Sequence, residues 1–113
     1  MIYAKPGTPD AVIQLKPQYG NYIGGAFVAP VKGLYFSNTS PVDGSLIGEF
    51  PRSGSEDIEL ALDAAHAAAD AWGRTSVQER SHILLKIADR IEANLELLAV
   101  AETWDNGKAV RET

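Results

Sequence analysis

The sequence predicts an α+β fold in which β-hairpins at the front are followed by about three helices. Two turn signals carry the β assignment: the Gly24-Gly25 dipeptide between β-prone pieces, and the Pro-Val-Asp-Gly stretch at residues 41–44. The helical assignment depends on the apolar period, which changes from two to about 3.6 residues at Ser53. Apolar residues make up 45% and charged residues 22% of the 113 residues, as in an ordinary globular domain. We therefore expect one domain, or part of one.

The front of the chain divides into two predicted segments. Residues 1–20 carry three prolines and two glycines, which predicts an irregular arm with at most one short strand at 11–15. Residues 21–52 form the β-hairpin segment, with β-prone pieces around Gly24-Gly25, a further strand at 33–38 and a partner at 45–50. Pro51 should end the last strand because it lacks a ladder donor. The glycines at 20–25 do not form GxGxxG and no helix follows them, so we favour a hairpin over a nucleotide loop.

The helical segment is predicted over residues 53–113. The first helix starts with a capping box at 53–56, in which Ser53 caps the helix, and stops at Gly73. Its apolar stripe has helical spacing and consists of Ile58, Ala61, Leu62, Ala65, Ala69 and Trp72. A second capping box at 76–79 starts the next helix.

A break between the second and third helices is predicted at Asn94, which suits an N-cap. Gly107 should end the third helix in a left-handed conformation. Trp72 and Trp104 each fall at a helix end, and we expect both to be buried anchors. The Asp105-Asn106-Gly107-Lys108 turn has two interpretations: a plain helix C-cap, or a place where freed backbone carbonyls bind a cation.

Composition excludes several classes of chemistry. The absence of cysteine removes disulfides, thiolate catalysis and zinc-cysteine sites from these residues. His66 and His82 have no second ligand at helical spacing, so we interpret both as solvated surface residues. A net charge of −5 argues against binding to nucleic acid or to an acidic membrane. With no leader-like N-terminus and no apolar stretch of about 18 residues, we expect a soluble, cytoplasmic protein.

Several motifs together resemble the N-terminal region of the NAD(P)-dependent aldehyde dehydrogenase superfamily. The segment NYIGGAFVAP at 21–30 looks like the family's opening hairpin. The segment SPVDGSLIG at 40–48 is similar to its N-P-A-T-G-E-x-I-G turn, with Ser for the usual Asn and Asp for Thr. Further matching residues follow in order: 55–58, 64–65, 71–72, 79–80, 83–84, 88–91 and the segment ETWDNGK at 102–108. Their order and spacing over residues 20–113 make the resemblance specific.

The resemblance implies a parent with an α/β architecture and an NAD or NADP cofactor. In the family, a cysteine thiolate attacks the aldehyde, hydride passes to NAD(P), and a glutamate assists thioester hydrolysis. Those residues lie downstream of the matched region, so no catalytic or cofactor-binding residue is carried over and no cofactor is expected for this chain. The backbone carbonyls of Thr39 and Asp105 match two ligands of the family's monovalent-cation site, which would be incomplete here.

The sequence thus predicts the N-terminal portion of the nucleotide-binding domain of an aldehyde dehydrogenase, truncated after Thr113 and inactive on its own. Its expected partners are the remainder of the parent enzyme and further copies of itself, because its apolar faces would lack cover. The alternative is a stand-alone interaction module derived from such an enzyme. An unrelated small α+β domain with chance motif similarity is a third possibility.

Overall fold

The computed structural model describes residues 3–113 and contains two antiparallel hairpins followed by three helices. The strands are β1 (Asn21–Ile23), β2 (Ala26–Val28), β3 (Tyr35–Thr39) and β4 (Leu46–Pro51). The helices are α1 (Ser55–Gly73), α2 (Val77–Ala93) and α3 (Leu95–Asn106), and a 3-10 turn (Val110–Glu112) follows. The predicted α+β piece, with hairpins before about three helices, is confirmed.

The first hairpin turns at Gly24 and Gly25, as the sequence predicts. Their φ angles are 63° and 85°, and two successive positive φ angles are what a type I′ hairpin turn requires. The register places Asn21 opposite Val28 and Ile23 opposite Ala26. These glycines therefore close a hairpin, and the choice of hairpin over nucleotide loop is confirmed.

The second hairpin, β3–β4, is held on one side by the N-terminal arm. The arm bonds to β4 at one residue: the Tyr19 amide donates to the Glu49 carbonyl at 2.9 Å, and the Glu49 amide donates to the Pro17 carbonyl at 3.0 Å. The Tyr19 ring stacks on Phe50 with centroids 5.0 Å apart. Residues 11–15 are not a strand but bring one buried side chain, Ile13, into this layer. Met1 and Ile2 of the predicted arm lie outside the described residues.

The two predicted capping boxes have different outcomes. At α2 the prediction is confirmed, because the Ser76 hydroxyl accepts the Glu79 amide and the Glu79 carboxylate accepts the Ser76 amide, both at 3.1 Å. At α1 the predicted cap is wrong by one residue. Gly54 has the extended backbone of an N-cap, and the carboxylate of Asp57, three residues on, accepts the Gly54 amide at 2.9 Å. Ser53 therefore lies outside the cap.

The predicted positions of the other helix ends are confirmed, but the role predicted for Asn94 is wrong. The break at Asn94 is confirmed, but its side chain closes α2 by donating to the Arg90 carbonyl at 2.8 Å and makes no side-chain cap bond to α3. Gly107 has φ 80° and donates its amide to the Thr103 carbonyl at 2.8 Å, as expected for a left-handed C-cap. Gly73 is the last residue of α1, as predicted.

The core of the described chain is small. The large apolar side chains buried within residues 3–113 are Ile13 and Val100, which are 6% and 1% exposed, while 21 others are exposed. The radius of gyration is 17.5 Å, against about 13 Å for a compact domain of this length. Trp72 is 49% exposed, so its predicted role as a buried anchor is wrong here, because nothing among these residues covers the end of α1. Trp104 is half-buried.

Candidate functional site

The β3–β4 turn and the C-terminal end of α3 meet in a contact that we call the turn–helix seam (residues 38–42 with 103–107). At its centre lies Ser40, which is 2% exposed. The Ser40 hydroxyl donates to the backbone carbonyl of Trp104 and accepts the amide of Val42 at 3.2 Å. One buried hydroxyl therefore satisfies both a turn amide and a carbonyl freed by the end of the helix.

A second polar pair extends the seam. The Asn38 side-chain amide donates to the Asp105 carboxylate at 2.8 Å. Beside this pair, Pro41 lies so close to Gly107 that a Cβ on Gly107 would be 3.3 Å from the proline ring. The left-handed glycine at the end of α3 thus permits both the helix stop and the close approach of the turn.

Thr39 and Asp105, the two residues proposed from the resemblance as cation ligands, lie within this seam. Each is exposed and is adjacent to a residue that bonds across the contact. The amides that follow Asp105 are used elsewhere: Gly107 bonds to the Thr103 carbonyl, and Lys108 bonds to the Asn106 side chain at 2.8 Å. Neither amide bonds to the Asp105 carbonyl. Cation binding by the two carbonyls remains a prediction.

A buried carboxylate that the sequence analysis missed lies at the start of α1. Asp57 is 5% exposed and accepts the amide of Val31 through one oxygen and the amide of Gly54 through the other, both at 2.9 Å. These hydrogen bonds from Gly54 and Val31 hold the pKa of Asp57 below its usual range. Because backbone amides use both oxygens, Asp57 acts as a structural link between the loop after β2 and α1. The sequence feature that could have indicated this role is an acidic residue three positions after Gly54.

Chemically reactive groups are scarce in the described chain. His66 and His82 are exposed, in agreement with the prediction for them. Across residues 3–113, no three His, Cys, Asp or Glu side chains are grouped in a way that could hold a metal ion. None of the helices described is both long enough and apolar enough to cross a membrane.

An apolar groove lies between α2 and α3, and we call it the α2–α3 groove. Its apolar lining consists of Ile83, Ile87, Ile91, Leu97 and Leu98. Each of these side chains is between 41% and 50% exposed. No residue of α2 is buried, although its stripe of isoleucines has the spacing of a core-facing helix. The arrangement is suited to packing against another surface.

The family comparison agrees with this description. The chain matches the model of the aldehyde dehydrogenase family over residues 27–113. Relatives include the acetaldehyde dehydrogenase of Pseudomonas aeruginosa, 81% identical over 113 residues, which are 100% of this chain and 22% of the relative. The long-chain-aldehyde dehydrogenase of an Acinetobacter species is 63% identical over 113 residues, which are likewise 100% of this chain and 22% of the relative.

A similar solved structure is the NAD-dependent aldehyde dehydrogenase of Sinorhizobium meliloti. Its TM-score is 0.81 at 32% sequence identity, over 97% of this chain and 22% of that one. The chain thus spans about 22% of the length of each of these relatives. Together with the two hairpins and three helices, these matches lead to one conclusion: the chain belongs to the aldehyde dehydrogenase family and corresponds to an N-terminal part of such an enzyme.

Proposed function

We propose that this chain is the N-terminal scaffold of an enzyme that oxidises an aldehyde to a carboxylic acid with NAD or NADP. On its own it is inactive, because the catalytic cysteine and glutamate of the family and the residues that contact the cofactor belong to the remainder of the enzyme. The observation that carries the proposal is the exposure of α2, a helix with a regular isoleucine stripe and no buried residue.

The physical argument concerns cover for that stripe. Fully burying a side chain of this type contributes about 1.5–3 kcal/mol, so leaving several in water forgoes a large part of the available stabilisation. A single domain normally turns such a stripe towards its own core. The remainder of the parent enzyme is therefore the proposed partner of α2, and this chain contributes a surface on which the rest of the nucleotide-binding domain packs.

The cofactor and the substrate class follow from the relatives and from no residue of this chain. The Sinorhizobium meliloti protein is described as NAD-dependent, and the two curated relatives are described as acting on acetaldehyde and on long-chain aldehydes. Both curated relatives match this chain over its whole length. We therefore assign an aldehyde as the substrate class. The part of the enzyme that contacts the aldehyde determines how long its carbon chain can be.

The experiment is a chimera with the Pseudomonas aeruginosa relative. Its matching 113 residues are replaced by this chain, and NAD(P)H formation is followed with an aldehyde as substrate. We expect the chimera to turn over aldehyde and the purified 113-residue chain to show no turnover and no NAD(P) binding. Turnover by the chain alone would contradict the proposal. A folded but inactive chimera would instead favour a stand-alone interaction module.

A matched pair of substitutions in the chimera tests the role of α2. Ile91→Asp introduces a charge into the isoleucine stripe and should abolish accumulation of folded, active chimera, because an unpaired charge would be buried in the contact. Ser81→Asp, at an exposed polar position of the same helix, should leave folding and activity unchanged. Equal activity of the two variants would show that the stripe stays in water.

We also propose that the isolated chain self-associates, and that the parent enzyme is a cytoplasmic oligomer. The uncovered apolar side chains support self-association, since a large exposed apolar surface promotes association. The lack of cysteine is compatible with a reducing compartment. Static light scattering of the chain over a concentration series tests the first point, and a mass that stays monomeric would contradict it.

A monovalent cation held by the backbone carbonyls of Thr39 and Asp105 is the last element of the proposal. Support comes from the seam, where bonds from Asn38 and Ser40 hold these two segments together. The remainder of the enzyme supplies the missing ligands. We expect the chimera to melt at a higher temperature in Na⁺ or K⁺ than in choline at equal ionic strength. The isolated chain should show no such difference, and a cation-independent chimera would refute the site.

A further inference from the structure

We propose that Asn106 is a site of spontaneous deamidation, and that closure of the turn–helix seam sets how fast the reaction runs. Asn106 is exposed and is the asparagine of this chain that precedes a glycine, whereas Asn21, Asn38 and Asn94 precede tyrosine, threonine and leucine. Glycine has no Cβ to shield the backbone nitrogen that attacks in this reaction. The reaction needs only residues of this chain and water, so it is independent of the proposed function.

The reaction proceeds through a cyclic imide. The backbone nitrogen of Gly107 loses its proton and attacks the side-chain amide carbon, Cγ, of Asn106. A bond forms between that nitrogen and Cγ, the bond between Cγ and Nδ2 breaks, and the amide nitrogen leaves as ammonia. Water then opens the ring at either of its two carbonyls, which leaves aspartate or isoaspartate at position 106. Nothing is oxidised or reduced in these steps.

In the closed seam both reacting groups are engaged in hydrogen bonds. The Gly107 amide donates to the Thr103 carbonyl at 2.8 Å, so the attacking nitrogen belongs to the C-cap of α3. The Asn106 side chain accepts the Lys108 amide at 2.8 Å and donates to the Glu102 carboxylate at 3.3 Å. Ring closure therefore requires the C-cap bond to break and the asparagine side chain to turn towards the freed nitrogen.

The seam keeps the last turn of α3 in place. The helix has 12 residues, and isolated helices shorter than about 12–15 residues are marginal in water and fray at their ends. Two hydrogen bonds from the β3–β4 hairpin hold the residues just before the reacting pair. The Ser40 hydroxyl donates to the Trp104 carbonyl, and the Asn38 amide donates to the Asp105 carboxylate at 2.8 Å. Deamidation therefore takes place from the population in which the seam and this last turn are open.

The Asp43-Gly44 dipeptide in the β3–β4 turn could form the same imide, but its contacts oppose the reaction. An aspartate cyclises through its protonated carboxyl group. The Asp43 carboxylate accepts the amide and the hydroxyl of Ser45 at 2.9 and 2.6 Å, and it pairs with Lys5 at 3.4 Å. The hydrogen bonds from Ser45 and the charge of Lys5 hold the pKa of Asp43 below its usual range, so the protonated form is scarce. Asn106 is therefore the dipeptide position at which modification is expected.

The products weaken the contact that slows their formation. Isoaspartate places an additional carbon in the backbone just before Gly107, which displaces the amide that caps α3 and the glycine that lies beside Pro41. Aspartate keeps the backbone but loses the donor to Glu102 and adds a negative charge at the negative end of the helix dipole. Modification of Asn106 is therefore expected to open the seam in an aged chain.

The first test compares the purified chain in buffer and in denaturing guanidinium chloride at the same mildly alkaline pH and temperature. After the denaturant is removed, ion-exchange chromatography follows the added negative charge. Peptide mass spectrometry and an isoaspartate methyltransferase assay locate the products. We expect modification at Asn106 in the denaturant and a rate at least about tenfold lower in buffer. Equal rates in the two solvents, or modification confined to other residues, would overturn the proposal.

Two substitutions in the seam and a matched control test what sets the rate. Ser40→Ala and Asn38→Ala each remove one hydrogen bond across the seam, and both should accelerate deamidation of Asn106 in buffer. The acceleration in Ser40→Ala should be at least about fivefold, because the bond that it loses is buried. Ser37→Ala, at an exposed position of β3, should leave the rate unchanged. In guanidinium chloride all of these chains should react at one rate, because the substitutions act on conformation and leave the chemistry alone.

Circular dichroism of each chain separates local opening from general unfolding. If Ser40→Ala unfolds, it should react at the denatured rate, and Asn38→Ala then carries the comparison with Ser37→Ala. Asn106→Gln is the chemical control, because the longer side chain cyclises far more slowly and should abolish the acidic product. An acidic product that still accumulates at the wild-type rate in that variant would place the reaction elsewhere. Equal rates in buffer for the seam variants and for Ser37→Ala would show that the seam does not govern the reaction.

Discussion

The turn–helix seam and helix α2 differ in how far other residues of this chain cover them. In the seam, Ser40 is 2% exposed and its hydroxyl has two partners within the chain, and Val100, earlier in α3, is 1% exposed. In α2 the isoleucine stripe is regular, yet no residue is buried. The difference shows which contacts residues 3–113 can make themselves and which need another surface. Substitutions in the seam should therefore act on the isolated chain, and those in α2 on assembly.

The largest effect is expected for Val100→Ala. Removing two methyl groups from a position that is 1% exposed leaves a cavity, and we expect a loss of about 2–3 kcal/mol in the free energy of unfolding. Val77→Ala is the matched control: Val77 is 69% exposed at the start of α2, and alanine favours helix, so its effect should be near zero or slightly stabilising. Urea unfolding followed by circular dichroism measures both, and similar losses would erase the contrast between the two regions.

The next effect is expected for Ser40→Ala. Without the hydroxyl, the Val42 amide and the Trp104 carbonyl lose a buried partner, which should cost about 2 kcal/mol in the free energy of unfolding. Ser37→Ala, at an exposed position of β3, is the control and should change little. If the two alanine variants unfold alike, the hydroxyl is dispensable and the seam depends on its apolar contacts.

A somewhat smaller effect is expected for Gly107→Ala. The φ of 80° is unfavourable for alanine by about 1–2 kcal/mol, and the new Cβ would approach Pro41 at 3.3 Å. Gly73→Ala, at the last residue of α1, has no atom within 4 Å of its Cβ and no positive φ, so it should be neutral or stabilising. Opposite shifts of the melting temperature in the two variants are the expected result, and equal shifts would contradict the left-handed cap.

The last prediction concerns Asp57 and the dependence of stability on pH. Because its pKa is lower in the folded chain than in the unfolded one, its contribution is present above the unfolded pKa and is lost as pH falls through the folded pKa. The free energy of unfolding should therefore fall on acidification below the usual aspartate range. Asp57→Asn should be less stable at neutral pH and less sensitive to acid, whereas Asp63→Asn should follow the wild-type chain. An unchanged acid profile in Asp57→Asn would refute the assignment.

What could be predicted from the sequence was local. The Gly24-Gly25 turn, the Ser76 capping box and the Gly107 stop each depend on residues within a few positions of one another. The cap of α1 was displaced by one residue because Glu56 and Asp57 both resemble a capping carboxylate, and only the extended backbone of Gly54 decides between them. Trp72 was predicted as a buried anchor because a helix pattern does not show whether its partner is present.

The candidate site was harder to predict because its contacts join distant residues. Asn38 and Asp105 are 67 positions apart, and Ser40 and Trp104 are 64 positions apart. No periodicity connects such pairs, and Ser40 looks like an ordinary turn residue in the sequence. Thr39 was named through the family resemblance alone, whereas the turn that starts at Asp105 was also a cation candidate because it follows the end of a helix. The division into an arm at 1–20, hairpins at 21–52 and helices at 53–113 of a nucleotide-binding domain remains a prediction.

The long separation across the seam sets the order in which the chain can fold during synthesis. Asn38 leaves the ribosome 67 residues before Asp105, a delay of about 3–13 s at typical translation rates of about 5–20 residues per second. A hairpin or helix can form in microseconds once its residues have emerged, whereas the seam cannot close until the end of α3 has been made. Throughout that interval the Ser40 hydroxyl has only water to bond to in place of the Trp104 carbonyl.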